Sequence, residues 1–218
     1  MAPHHPGTCS TTDPIIVMAI CFGWFILSSI QAVAAGFPVH PFTDSSFLGI
    51  VVLEIILATI AIGFLYVRGF NLGHLVPVPS GKGCLVGLVL YGATLLLSWP
   101  AELAGGRSIV AVQPIEEMAS GATISLLPLL GVSVINGLYE ETFVIGYLQR
   151  TLQSAGAFFA IGMTILVRVL YHIYQGPVGA LSIVAFGLVL SIYFLWKKDL
   201  WPVVFAHIFA DFAGFSYA

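Results

Sequence analysis

Long apolar runs, separated by short stretches bearing proline and glycine, dominate this chain and decide which solvent it can fold in. A transmembrane helix needs about 20 apolar residues. The candidate runs are Pro14–Gly36, Phe47–Val67, Cys84–Trp99, Ala122–Leu148, Ala157–Tyr174, Val178–Trp196 and Leu200–Phe215. Of the 218 residues, 59% are hydrophobic and 8% are charged, against about 25% charged in a soluble domain. Those charges cannot cover a water-soluble globule. The expected fold is therefore an all-α integral membrane protein, a bundle of about seven transmembrane helices. Residues 1–120 and 121–218 are expected to form one integral membrane domain, with the ionisable positions concentrated in the later part.

Charge sets the orientation and excludes one class of partner. A cytoplasmic N-terminus puts Arg68, Lys82, Arg150, Lys197 and Lys198 on the cytoplasmic side. The far side then receives Arg107 with Glu102, Glu116 and Glu117, as the positive-inside rule prefers. A multi-pass protein with its N-terminus in the cytoplasm is expected. The first 13 residues hold no Lys or Arg, so the first run reads as a retained span rather than a secretory signal. Net charge is −3 and no basic patch occurs, which gives no support to nucleic-acid binding. Cys9, Cys21 and Cys84 show no metal or redox spacing and read as small hydrophobes. Trp99, Tyr171, Tyr174, Trp196, Trp201 and Tyr217 lie near helix ends, where aromatic belts form.

Ionisable side chains inside apolar runs cost about 2.5–3.5 kcal/mol each on insertion scales and mark function by default. Here they are Glu54, the pair Glu140 and Glu141, Arg168, His172, His207 and Asp211. Glu54 stands alone on its helix and reads as a neutral or locally capped carboxyl. Glu140 and Glu141 are neighbours, about 100° apart on an α-helix. The expectation is that one faces a reaction centre while the other fixes an adjacent helix. Arg168 and His172 are four apart, as are His207 and Asp211, so each pair shares a helix face. At 1.5 Å per residue, His172 lies about 20–25 Å from a helix start at Ala157, deeper than Glu140 or His207. A later helix start would bring the three level.

The chain has no HExxH, no GxSG and no GxGD motif. It does resemble the CPBP family, the CAAX prenyl-protease and bacteriocin-processing (Abi) intramembrane proteases. The family's EExxxR motif running into Gly-Tyr-Leu-Gln is matched by Glu140-Glu141-Thr142-Phe143-Val144-Ile145-Gly146-Tyr147-Leu148-Gln149-Arg150. Its FxxxH motif is matched at the histidine by Arg168-Val169-Leu170-Tyr171-His172. Its HxxxN or HxxxD motif is matched by His207-Ile208-Phe209-Ala210-Asp211 after Trp201-Pro202. The order and spacing agree from about Gly121 to Phe215. Two positions depart: Ile145 stands at the family's Arg and Arg168 at its Phe. The two changes read as linked, with Arg168 supplying from the next helix the counter-charge that Ile145 lacks.

The resemblance implies an intramembrane endopeptidase that hydrolyses a membrane-associated protein or peptide, with its catalytic core in the last four helices. Glu140 with His172 would activate water, and His207 with Asp211 would stabilise the oxyanion. Glu141 would orient Glu140 or pair with Arg168. An Asp at 211 adds negative charge beside the oxyanion, so it would have to hold His207 as imidazolium or be protonated. Metal-free glutamate catalysis ranks first. The alternative is a zinc set of Glu140, His172 and His207 with an open position. A non-catalytic immunity or interaction protein on the same scaffold, or a small transporter, are the competing classes.

Overall fold

The computed structural model describes residues 12–107, 117–119, 121–122 and 124–216, with 101–107 as backbone only. Cys9, Glu116, Tyr217 and the side chains of Glu102 and Arg107 lie outside the described residues. Among the described residues the chain is all-α and has no strands. The principal helices are α1 Asp13–Ala34, α2 Asp44–Val67, α3 Gly81–Arg107, α4 Leu126–Glu140, α5 Ala157–Leu170, α6 Gly176–Lys197 and α7 Trp201–Ser216. Four stretches are long and apolar enough to cross a membrane: Asp13–Ala34, Asp44–Val67, Gly81–Pro100 and Ile173–Lys197. Large apolar side chains such as Trp24, Val89, Leu96, Leu127, Phe158 and Trp196 point outward. Lipid accepts such a surface and water does not. The chain is an integral membrane protein.

Three expected boundaries shift. α3 does not stop at Trp99 but runs through Pro100 to Arg107; proline removes one backbone donor and does not by itself end a helix. The run Ala122–Leu148 is two forms of helix in series. The α-helix ends at Glu140 and the chain continues as a π-helix over Glu141–Gln149. Such i→i+5 stretches are rare and frequently sit at functional sites. The run Ala157–Tyr174 starts as expected, but its α-helix ends at Leu170, before His172. A 3₁₀ turn at Ile173–Gln175 and Gly176, at φ +88°, then turn the chain into α6.

Polar ties fix the helix ends. Thr43 and Ser46 form a reciprocal capping box at the start of α2, with Thr43 Oγ1 accepting from the Ser46 N–H at 3.2 Å. Asp44 accepts from the backbone N–H and the hydroxyl of Ser125, both at 2.7 Å, which joins the starts of α2 and α4. Arg68 after α2 donates to Asp13 at the start of α1, at 3.3 Å. In the core, the Tyr139 hydroxyl donates to the Cys21 carbonyl at 2.5 Å. Gln149 Nε2 donates to the Ser191 carbonyl at 2.9 Å and pins the end of the π-helix to α6. One apolar core gathers residues from α1 to α7, including Phe22, Leu65, Tyr139, Phe143, Leu190 and Val203.

Glycine sets the closest helix approach. A Cβ built at Gly137 of α4 would sit 2.7 Å from Ile208 Cγ1 and 2.9 Å from the Ile208 backbone nitrogen of α7. Only a residue without a side chain lets α4 and α7 come this near. That contact lies between Asn136 and Glu140 on one helix and His207 and Asp211 on the other.

Candidate active site

The two glutamates are positioned by the junction between α4 and the π-helix. Glu140 is the last α residue and Glu141 the first π residue. Both are buried, Glu141 completely. Glu140 lines a cavity, and Glu141 pairs with Arg168 of α5. Both reach the same two partners. Arg168 Nη1 lies 3.3 Å from Glu140 Oε2, and its Nη2 lies 2.8 Å from the Glu141 carboxylate. His207 Nδ1 lies 2.6 Å from Glu141 Oε1, and its Nε2 lies 3.9 Å from Glu140 Oε2. The convergence is possible because a guanidinium is a planar fork. Its two arms serve two carboxylates that leave the backbone in different directions.

Arg168 has no exposed surface and is the largest of the fully buried side chains. It emerges from α5 beneath the Phe186 ring, with its guanidinium carbon 5.4 Å from the ring centroid. Its Nε has no hydrogen-bond partner. Thus the cation nearest the glutamates is Arg168 rather than Arg150, which turns back to the Gly146 carbonyl at 3.2 Å.

His172 is not on an α-helical face with Arg168, because α5 has already ended. Its ring folds back so that Nδ1 lies 2.9 Å from the Arg168 carbonyl oxygen. A carbonyl only accepts, so Nδ1 is the donor and the lone pair of the neutral ring sits on Nε2. His172 lines a cavity of about 130 Å³ together with Glu54, Asn136, Glu140, Tyr171 and Asp211. It also lines a neighbouring cleft with Arg168, His207 and Asp211. The first cavity shares Phe25, Phe42, Ile50, Tyr171 and Tyr174 with a larger apolar cleft of about 480 Å³ between α1 and α2.

His207 and Asp211 face each other along α7, Nε2 to Oδ1 at 3.6 Å. Asp211 also accepts from Asn136 Nδ2 at 2.8 Å, and the same nitrogen is 3.5 Å from His207 Nε2. Asn136 escaped the sequence analysis because a neutral amide carries no insertion penalty as large as a charge. Its position four before Glu140 was the available signal, since that spacing shares a helix face. Tyr171 was missed too, having been read as an interfacial aromatic. It is buried, stacks on Phe22 at 4.8 Å between ring centroids, and donates its hydroxyl to Glu140 Oε2 at 2.6 Å. Tyr174 likewise lines the cavity rather than a surface belt.

Glu140, Glu141 and His207 bring donor atoms within 4.8 Å of one another, near enough to hold a metal ion, and His172 of the expected zinc set is not among them. Both carboxylates are already bridged by the Arg168 cation, and His207 Nδ1 is committed to Glu141.

Residues 122–213 match the family model described as type II CAAX prenyl endopeptidase Rce1-like. No curated protein and no solved structure matches the chain.

Proposed function

From the premise that residues 122–213 belong with the type II CAAX prenyl endopeptidases of Rce1-like kind, consistent with the CPBP family, we propose that this chain is a metal-free intramembrane endopeptidase. Its substrate is a membrane-associated protein or peptide, and its catalytic core is the last four helices. The N-terminus faces the cytoplasm, a reading supported by the basic residues Arg68, Lys82, Arg150, Lys197 and Lys198 of the even-numbered loops.

The observation that carries the reading is the meeting, from three separate stretches of chain, of Glu140, His172 and Asp211 around one cavity and of His172, His207 and Asp211 around the adjoining cleft. Glu140 and the Nε2 lone pair of His172 activate a water between them. The proton taken by Glu140 then passes to the leaving amine. Arg168 holds both carboxylates in place, and the Tyr171 hydroxyl fixes which oxygen of Glu140 is engaged. His207 lies between Glu141 on one ring nitrogen and Asp211 on the other. Acceptors on both sides suit an imidazolium, which has two donors. A cation there stabilises the oxyanion in a low-dielectric site. Asn136 takes up part of the Asp211 charge, which answers the objection that an aspartate beside the oxyanion is unfavourable.

The Arg168 bridge also bears on the non-catalytic alternative. That reading drew on Ile145 standing at the family's Arg, and the counter-charge is present from another helix. The test is cleavage of a prenylated CAAX peptide by the purified protein in lipid, compared with Glu140→Gln. Cleavage that survives Glu140→Gln would overturn the mechanism.

A further inference from the structure

Glu54 is a buried carboxyl of α2 that this mechanism leaves unused. It belongs to the stripe Phe47, Ile50, Glu54, Ala61 and Leu65, whose spacings of three, four and seven share one face of α2. That face looks inward: Phe47, Ile50 and Glu54 line the same cavity as Asn136, Glu140 and Asp211. Glu54 is 2% exposed, and its Oε2 has no hydrogen-bond partner. Behind it lies a cleft walled by apolar groups including Ala58, Leu138 and Phe143. Among the described residues no arginine or lysine forms an ion pair with it, and the Arg168 fork is engaged by Glu140 and Glu141.

A peptide entering such a cavity brings main-chain N–H groups away from water, and each needs an acceptor. Glu140 Oε2 receives Tyr171 and Arg168, and Asp211 Oδ2 receives Asn136. The α2 wall offers one vacant oxygen among phenylalanines and isoleucine. We infer that Glu54 is a substrate-binding residue whose Oε2 accepts a hydrogen bond from a main-chain N–H of the bound peptide, thereby setting which bond is presented to Glu140. This rests on the endopeptidase reading and adds to it the group that registers the substrate.

The experiment uses the full chain in lipid nanodiscs and a fluorescent farnesylated CAAX peptide. Glu54→Gln keeps a carbonyl acceptor and Glu54→Leu removes it. Glu54→Leu is expected to raise KM about tenfold with kcat within about threefold, while Glu54→Gln stays near wild type. N-methylating each main-chain nitrogen around the scissile bond in turn should weaken wild-type cleavage about tenfold at one position. The same methyl group should cost Glu54→Leu nothing further. A Glu54→Leu protein with unchanged thermal transition, wild-type KM and the wild-type N-methyl profile would overturn the inference. If Glu54→Leu does not fold, the N-methyl scan on wild type and Glu54→Gln decides, and a flat profile overturns it. Peptide affinity is also measured by fluorescence anisotropy in the Glu140→Gln background, where no hydrolysis is involved. Absence of wild-type cleavage would sink the endopeptidase reading. Equal affinities with Glu54 and Leu at this position would sink the role of Glu54.

Discussion

Arg168 reaches Glu141 across 2.8 Å with no exposed surface on either side chain. A pair buried this completely is held by what each partner would cost alone. Removing one member of a buried ion pair typically costs about 3–5 kcal/mol, because the other charge stays desolvated. Arg168→Leu should therefore lower the thermal transition sharply and abolish cleavage. Arg168→Lys should fold better, since the charge remains. It should still lose most activity, because a lysine cannot bridge two carboxylates as a fork does. Melting curves beside peptide cleavage check both. Unchanged stability and activity in Arg168→Leu would end the idea that this arginine supplies the counter-charge missing at Ile145.

The bond from His172 Nδ1 to the Arg168 carbonyl predicts a separation of folding from chemistry. In His172→Asn the side-chain amide can keep a donor near the Nδ1 position, while nothing replaces the Nε2 lone pair. General-base contributions are typically about 10²–10⁴-fold. We expect kcat to fall by about two orders of magnitude or more, with the thermal transition nearly unchanged. His172→Gln, which places polar atoms nearer Nε2, should retain more activity than His172→Asn. The opposite ranking would mean that the ring contributes only its bond to the α5 carbonyl.

Asn136 and Asp211 should act as a unit. Asn136→Leu removes the amide that accompanies the aspartate and leaves its negative charge beside His207. Cleavage should drop mainly in kcat. Asp211→Asn, combined with Asn136→Leu, should recover part of it, because the charge that needed the amide is gone. Coupling between residues in contact commonly amounts to about 0.5–3 kcal/mol in a double-mutant cycle. Purely additive effects would show that the 2.8 Å contact plays no part in catalysis.

Much of this architecture was legible from the chain because lipid is an unforgiving solvent. Apolar runs located the helices, and the cost of burying charge singled out Glu140, Glu141, Arg168, His172, His207 and Asp211 as residues needing an explanation. The i, i+4 reading of His207 and Asp211 survives as a contact because both stay on one regular helix. Arg168 and His172 also line one cleft, although α5 ends at Leu170 and the His172 ring turns back to the Arg168 carbonyl. The convergence of Glu140 and Glu141 was hidden because it is made by Arg168, whose fork from another helix reaches both. Tyr171 and Asn136 were hidden by chemistry instead. A tyrosine suits a membrane interface equally well, and a neutral amide raises little alarm. Which faces meet between helices depends on packing that a periodicity within one helix does not encode.

Gly137 offers a test of that packing. Its missing side chain lets α4 touch the Ile208 backbone, and a methyl there would stand 2.9 Å from the Ile208 nitrogen, closer than real carbon contacts allow. Gly137→Ala must therefore push α4 away from α7. Overpacking of this kind typically costs about 1–3 kcal/mol. The displacement also acts on the 2.6 Å contact between Glu141 and His207 and on the amide–aspartate bond one turn earlier. Activity should fall more than stability does. Gly131, on the same helix, is the control, because nothing lies within 4 Å of a Cβ built there. Gly131→Ala should be neutral or stabilising by up to about 1 kcal/mol, as alanine is the better helix former. Equal behaviour of the two variants in melting and cleavage would mean that the close approach of α4 and α7 does not hold the carboxylates against the imidazole.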